Sequence, residues 1–122
     1  MQNTEIFVAG KKILVSCAFH AMLDQEVLVK FPVDEDEFSF KLKVFNQKEG
    51  ENSASINTRN GDLLEWEIII YLQKRTISRS IKKPILFAQS EKRNLYYSMS
   101  VNRFAPDSLA YSATLIIYEE VL

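Results

Sequence analysis

Two side chains in this sequence belong to the usual repertoire of nucleophiles and bases, Cys17 and His20, and both lie in or beside one apolar run, Ile13 to Phe19. A lone histidine could serve as a general base. In a strand, however, His20 shares the face of Leu14, Ser16 and Ala18, at the strand's end, where an ordinary structural role is expected. Cys17 shares the other face with Ile13, Val15 and Phe19, the setting of a small buried hydrophobe rather than a reactive thiolate. The sequence has no Gly-rich phosphate loop, no Gly-x-Ser-x-Gly elbow and no His-Glu-x-x-His. The expectation is a chain that is not an enzyme and needs no cofactor.

Carboxylates cluster in the run Asp34-Glu35-Asp36-Glu37. Calcium takes about 6–8 oxygen ligands, and this run could supply some of them, with help from Glu49, Glu51 or Asp62. The spaced Asp-x-Asp-x-Asp-Gly pattern is missing, and successive residues point in different directions. The run therefore reads as a solvated acidic loop that also discourages edge-to-edge pairing, with no metal expected.

Charge is segregated along the chain. From Asp24 to Glu67 there are eleven acids against five bases, and from Gln73 to Arg93 seven bases against one acid. The basic residues Lys74, Arg75, Arg79, Lys82 and Lys83, with Tyr96 and Tyr97 nearby, are the candidate partner-binding set. They could dock on an acidic protein, or on the acidic region of a second copy, where complementary potentials speed association. They could instead hold nucleic-acid phosphates while the tyrosines stack on bases, although no recognisable nucleic-acid motif accompanies them. A solvated loop with no specific role is the third account. The leading expectation is a non-enzymatic protein-interaction module, such as an accessory, inhibitory or immunity-type subunit. A nucleic-acid-binding β domain is the alternative, and a hydrolase or small-ligand binder built from scattered loop residues ranks below both.

Composition agrees with a small globular chain. The 122 residues are 47% hydrophobic and 25% charged, with a net charge of −1, which argues against wholesale polyanion binding. One cysteine and one histidine exclude an internal disulfide and any Cys-rich or His-rich metal site. Leu14-Val15-Ser16-Cys17 has the look of a lipoprotein cleavage site. The apolar stretch before Cys17 is only four residues after Lys11 and Lys12, too short for such a signal. A cytoplasmic protein without membrane contact is expected.

The elements that must position these residues are strands. Phe38, Phe40, Leu42 and Val44 alternate with Ser39, Lys41 and Lys43, and the same period of two recurs through Tyr97, Met99 and Val101 and through Tyr111 to Ile117. Alternation of this kind builds sheets with one dry face. Short strands are expected near 6–8 and 13–19 (joined by a hairpin at Ala9 to Lys12), 26–31 (ended by Pro32), 37–45, 53–59, 62–72, 85–88, 95–104 and 109–119. Asn46 to Asn52 reads as a polar turn. Asn60-Gly61, a dipeptide favoured in tight hairpins because both positions need positive φ, predicts a two-residue turn. Lys74 to Lys83 breaks the alternation and reads as a loop or a single helical turn. The expected fold is a single all-β domain over residues 1–122, an antiparallel β-sandwich of about eight or nine strands, with a partly closed barrel as the alternative. Leu63 to Leu72 and Leu115 to Tyr118 are apolar on both faces, which predicts covering loops or a contact with a partner or a second copy.

Overall fold

The structure is a computed structural model that describes residues 10–33, 35–47, 54–58, 64–73, 76–89 and 93–121. Among these residues the chain is all-β, with eight strands: β1 (Lys11–Met22), β2 (Glu26–Val33), β3 (Asp36–Gln47), β4 (Ala54–Thr58), β5 (Glu65–Gln73), β6 (Ser78–Gln89), β7 (Asn94–Arg103) and β8 (Ala110–Glu120). They form two open four-stranded sheets, ordered β1-β8-β7-β6 and β2-β3-β5-β4. This is the sandwich-like all-β class that the alternation predicts, and neither sheet closes into a barrel. No helix among the described residues is long and apolar enough to cross a membrane.

The chain divides into two compact units. One comprises Met1–Phe19, Ser80–Val101 and Ala113–Leu122, and the other His20–Arg79 and Asn102–Ser112. The first holds most of the β1-β8-β7-β6 sheet. Its two central strands are buried on one side by Leu95, Tyr97, Met99 and Val101 of β7 and by Ala113, Leu115 and Ile117 of β8. The second holds the β2-β3-β5-β4 sheet, whose dry side carries Phe31, Val33, Phe38, Phe40, Leu42, Val44, Ile68, Ile70 and Leu72. Phe31 stacks on Phe38 and Phe40 at ring separations of 5.6 and 5.9 Å, which ties β2 to β3 through their apolar faces.

Local chemistry explains where the strands turn. The Gln25 N–H donates to the Met22 carbonyl across 3.0 Å, and Asp24 takes a φ of 68° at the third position of that turn. Asp tolerates this left-handed conformation better than most residues do. The acidic run is shorter as a loop than the sequence predicts. Val33 pairs with Asp36 and Pro32 with Glu37, so Asp36 and Glu37 already belong to β3 and only positions 34 and 35 remain for the turn (Asp34 lies outside the described residues). Pro32 sits inside β2 rather than ending it, and it is tolerated because β2 is an edge strand.

Other expectations are corrected as well. β3 and β5 pair in parallel, with Phe40 opposite Trp66 and Leu42 opposite Ile68, so the second sheet is mixed rather than wholly antiparallel. Alternation reads the same for either direction of a neighbour, and the chain reaches the parallel pairing by placing β4 beyond β5 at the sheet's edge. A two-residue turn at Asn60-Gly61 would set Thr58 opposite Leu63. The register sets Thr58 opposite Trp66, while the turn itself and Leu63 lie outside the described residues. Asn46 and Gln47 continue β3, and Lys11 and Lys12 begin β1. The expected strand at 6–8 lies outside the described residues.

The largest correction concerns the basic stretch. From Ser78 onward it is β6, a strand of 12 residues that runs through Lys82, Lys83 and Pro84. β6 is an edge of its sheet, where adjacent exposed lysines and a proline blunt an unpaired ladder. The double lysine breaks the period of two, which is why the stretch resembles a loop in sequence.

Candidate binding surfaces

Lys74 and Arg75 lie outside the described residues. Arg79 belongs to the second unit and Lys82, Lys83, Tyr96 and Tyr97 to the first. Lys82 and Lys83 are exposed on β6. Tyr97 is buried at 2% exposure, its ring edge-on to Phe87 at 6.2 Å, and burial pushes its hydroxyl pKa up. Its ring is not presented to a ligand.

Tyr96 is held in a polar network in the first unit. Its hydroxyl donates to Glu120 Oε1 at 2.9 Å, and Asn94 Nδ2 donates to Glu120 Oε2 at 2.9 Å. Lys11 Nζ stands 4.4 Å from the centre of the Tyr96 ring. The bonds from Asn94 and Tyr96 hold the Glu120 carboxyl below its ordinary range, and the Glu120 hydrogen bond raises Tyr96. The neighbouring Glu119 is paired with Arg93 at 2.9 Å and Lys12 at 3.6 Å. These groups anchor the ends of β1, β7 and β8 to one another. On the same sheet Ser98 and Tyr118 are both buried and share a hydroxyl bond of 3.0 Å.

Cys17 is half-buried, and burial pushes its thiol pKa up, which opposes thiolate chemistry. His20 is exposed and lies 5.8 Å from the Phe104 ring. Among the described residues no group of three or more His, Cys, Asp or Glu is placed to hold a metal ion.

Two further surfaces stand in the second unit. The first is apolar. Met22, Ile77, Phe104 and Leu109 are exposed at 49%, 46%, 59% and 59%. Backbone bonds bring their chain segments together: Leu23 N–H donates to the Leu109 carbonyl, Phe104 N–H to the Ala110 carbonyl, and Arg103 N–H to the Ile77 carbonyl. Arg103 fixes the turn that carries Phe104 and Leu109. Its guanidinium is buried at 2% exposure. It donates to the Pro106 carbonyl at 2.9 Å and to Asn46 Oδ1 and the Leu72 carbonyl at 3.1 Å each. No hydrogen-bond partner meets its Nε. Burial lowers the Arg103 pKa, and Asp107 partly restores it.

The second surface lies on the less buried side of the β2-β3-β5-β4 sheet. Phe45 and Tyr71 are register partners across the parallel pair, and their rings stack 5.2 Å apart at 21°. Lys43 Nζ lies 5.1 Å from the Phe45 ring centre. Beside them is a cavity of about 230 Å3 lined by Tyr71, Gln73, Thr76, Ser78 and Arg79. The Thr76 N–H donates to the Gln73 carbonyl at 2.9 Å. The aromatic neighbour of the basic stretch in this unit is therefore Tyr71, with Phe45 behind it.

Sequence reasoning missed both surfaces. The four exposed apolar residues are scattered singly at turns, and the Phe45–Tyr71 pair depends on a parallel register that alternation does not encode. The two-sided strands, by contrast, are partly accounted for from within. Tyr71 stacks on Phe45, Tyr118 bonds to Ser98, and Ile69 and Ile116 are half-buried. No family model, curated protein or solved structure matches the chain.

Proposed function

We propose that this chain is a non-enzymatic protein-interaction module that engages its partner through the apolar surface of Met22, Ile77, Phe104 and Leu109. The single observation that carries the reading is that four large apolar side chains, each close to half exposed or more, sit on segments joined by backbone hydrogen bonds. Apolar residues scattered singly over a surface need no explanation, whereas a concentration of them marks an interaction site. The buried Arg103 holds the turn between β7 and β8 in one shape, so Phe104 and Leu109 are presented without a large ordering cost on binding.

A photo-crosslinking side chain at Leu109 tests this in the native cell, with the same group at the exposed Ser16 as control. The expected result is a discrete protein adduct from position 109, heteromeric or of two copies, that disappears with Phe104→Asp. Phe104 is so exposed that the replacement leaves thermal stability nearly unchanged. Adducts of equal pattern from both positions, or none from 109, would refute the proposal.

A further inference from the structure

We infer that two copies of this chain pair edge to edge through antiparallel β2 strands, with a two-fold axis at Leu28. This goes beyond the apolar surface above and uses none of its residues. Among the described strands, β2 is terminal in the β2-β3-β5-β4 sheet. The direction of its backbone groups follows from the hydrogen bonds of its neighbours. Ser39 N–H donates to the Leu64 carbonyl, toward β5. The alternate residues of β3, Phe38, Phe40 and Leu42, therefore turn their backbone groups toward β2. Phe31, Val29 and Val27 are their register partners and take up those bonds. That leaves the backbone groups of Glu26, Leu28, Lys30 and Pro32 pointing away from β3, along the edge. Pro32, which has no N–H to offer, suits such a position.

This edge is self-complementary. Glu26, Leu28 and Lys30 are exposed, Leu28 at 54%. In an antiparallel pair centred on Leu28, Glu26 of each copy lies opposite Lys30 of the other, and the two Leu28 side chains meet on the axis. Glu26 lies 3.4 Å from its own Lys41 with half of its side chain exposed, so a second cation can approach it from the edge. On the other side of the ribbon, Val27 of each copy lies opposite Val29 of the other. Both valines are only half-buried, whereas Phe31 and Val33 further along the same side are buried. A second copy thus covers the least buried part of that dry side.

The register is fixed by elimination. An axis at Glu26 or Lys30 sets like charges opposite each other, and an axis at Val27 or Val29 sets Leu28 opposite a charge. Centred on Leu28, the ladder gains about six backbone hydrogen bonds, two at each outward-facing pair. The β6 edge offers nothing equivalent. It carries Lys82 and Lys83 with no acid between Ser78 and Gln89, which guards an edge but gives a second copy no opposite sign.

The pairing window is short, so the dimer belongs to the weak class of interfaces and dissociates in the range of about 10–500 µM. Sedimentation velocity of the full chain between about 5 µM and 1 mM should show a reversible monomer–dimer equilibrium. Glu26→Lys and Lys30→Glu should each weaken it at least about tenfold, because each sets like charges opposite on both sides of the axis. Mixed in equal amounts, these two variants should form a heterodimer about as tight as the wild-type dimer, since every lysine then faces a glutamate. Leu28→Asp should abolish the dimer. Phe104→Asp should leave it unchanged, which separates this edge from the apolar surface. The replaced side chains are exposed, and melting curves should match wild type. A chain that stays monomeric to about 1 mM leaves the edge to a strand of another protein and overturns the inference. A dimer indifferent to both charge reversals, or a mixture of the two variants that does not associate, overturns it as well. So does a dimer lost in Phe104→Asp alone, which would seat the second copy on the apolar surface.

Discussion

Arg103 is the residue whose replacement most directly tests how the second unit is held together. It is buried at 2% exposure, with three hydrogen bonds of 2.9–3.1 Å and no carboxylate among their acceptors. Replacing it with methionine keeps much of the volume and removes the charge. The fully buried bond to the Leu72 carbonyl is worth about 1.5–3 kcal/mol as a bond from a charged donor. The bonds to Asn46 and Pro106 are only partly buried, so water recovers some of their value and they contribute about 0.5–1 kcal/mol each. Against this stands relief of the desolvation that lowers the Arg103 pKa, and of the unpartnered Nε. Swaps of a buried charge for an apolar residue are frequently neutral when every partner goes with it. Here the acceptors remain behind, so the net loss is about 2–4 kcal/mol. In a chain of this size that is a fall in Tm of roughly 8–16 °C. Denaturant melts of wild type, Arg103→Met and Arg103→Lys measure it, and the lysine variant should lose nearly as much because an ammonium cannot span all three acceptors. Asp107→Asn should change stability by less than about 0.5 kcal/mol, since Asp107 is exposed and acts only through its charge. If Arg103→Met is neutral or stabilising, the guanidinium is a tolerated burden rather than the tie between β3, β5 and the turn after β7.

Three further predictions concern the first unit. Glu120 has a folded pKa held below its unfolded value, so its contribution is present above about pH 4.5 and is lost as pH falls through the folded value. Glu120→Gln should therefore lower stability at pH 7, and the gap to wild type should close in acid; a gap that persists unchanged at pH 2 contradicts the role assigned to its charge. Tyr96 has a raised folded pKa, so its contribution is lost above pH 10 as pH rises, and Tyr96→Phe should remove that alkaline component. On β6, Lys83→Val combined with Pro84→Val should leave the monomer folded yet raise concentration-dependent light scattering, because it restores an unprotected strand edge. Scattering no higher than wild type would show that the lysines and proline do not guard that edge.

Much of the fold was legible in residue order. The runs Phe38 to Val44, Leu95 to Val101 and Tyr111 to Ile117 became strands with their apolar residues buried, because a side-chain period of two is a local property of extended backbone. The edge character of Lys82-Lys83-Pro84 was hidden for the same reason. A strand protected from pairing carries the polar residues and the proline that otherwise signal a loop, and nothing local distinguishes the two. Asn60-Gly61 advertised a tight turn that lies outside the described residues, and the register beside it opposes Thr58 to Trp66.

What the sequence determined by itself is therefore the all-β class and the identity of the dry faces. Those features depend on neighbours along the chain, where burial and alternation act over a few residues. The candidate surfaces were decided only by tertiary structure. Phe45 meets Tyr71 through a parallel pairing that places β5 between β3 and β4. Phe104 and Leu109 join Met22 and Ile77 through hydrogen bonds between segments distant in sequence. Tyr96 faces Glu120, and Tyr97, one residue later, is buried against Phe87. Long-range register costs chain entropy that no local pattern reports, and in this protein that register sets which aromatic residues meet across the sheets.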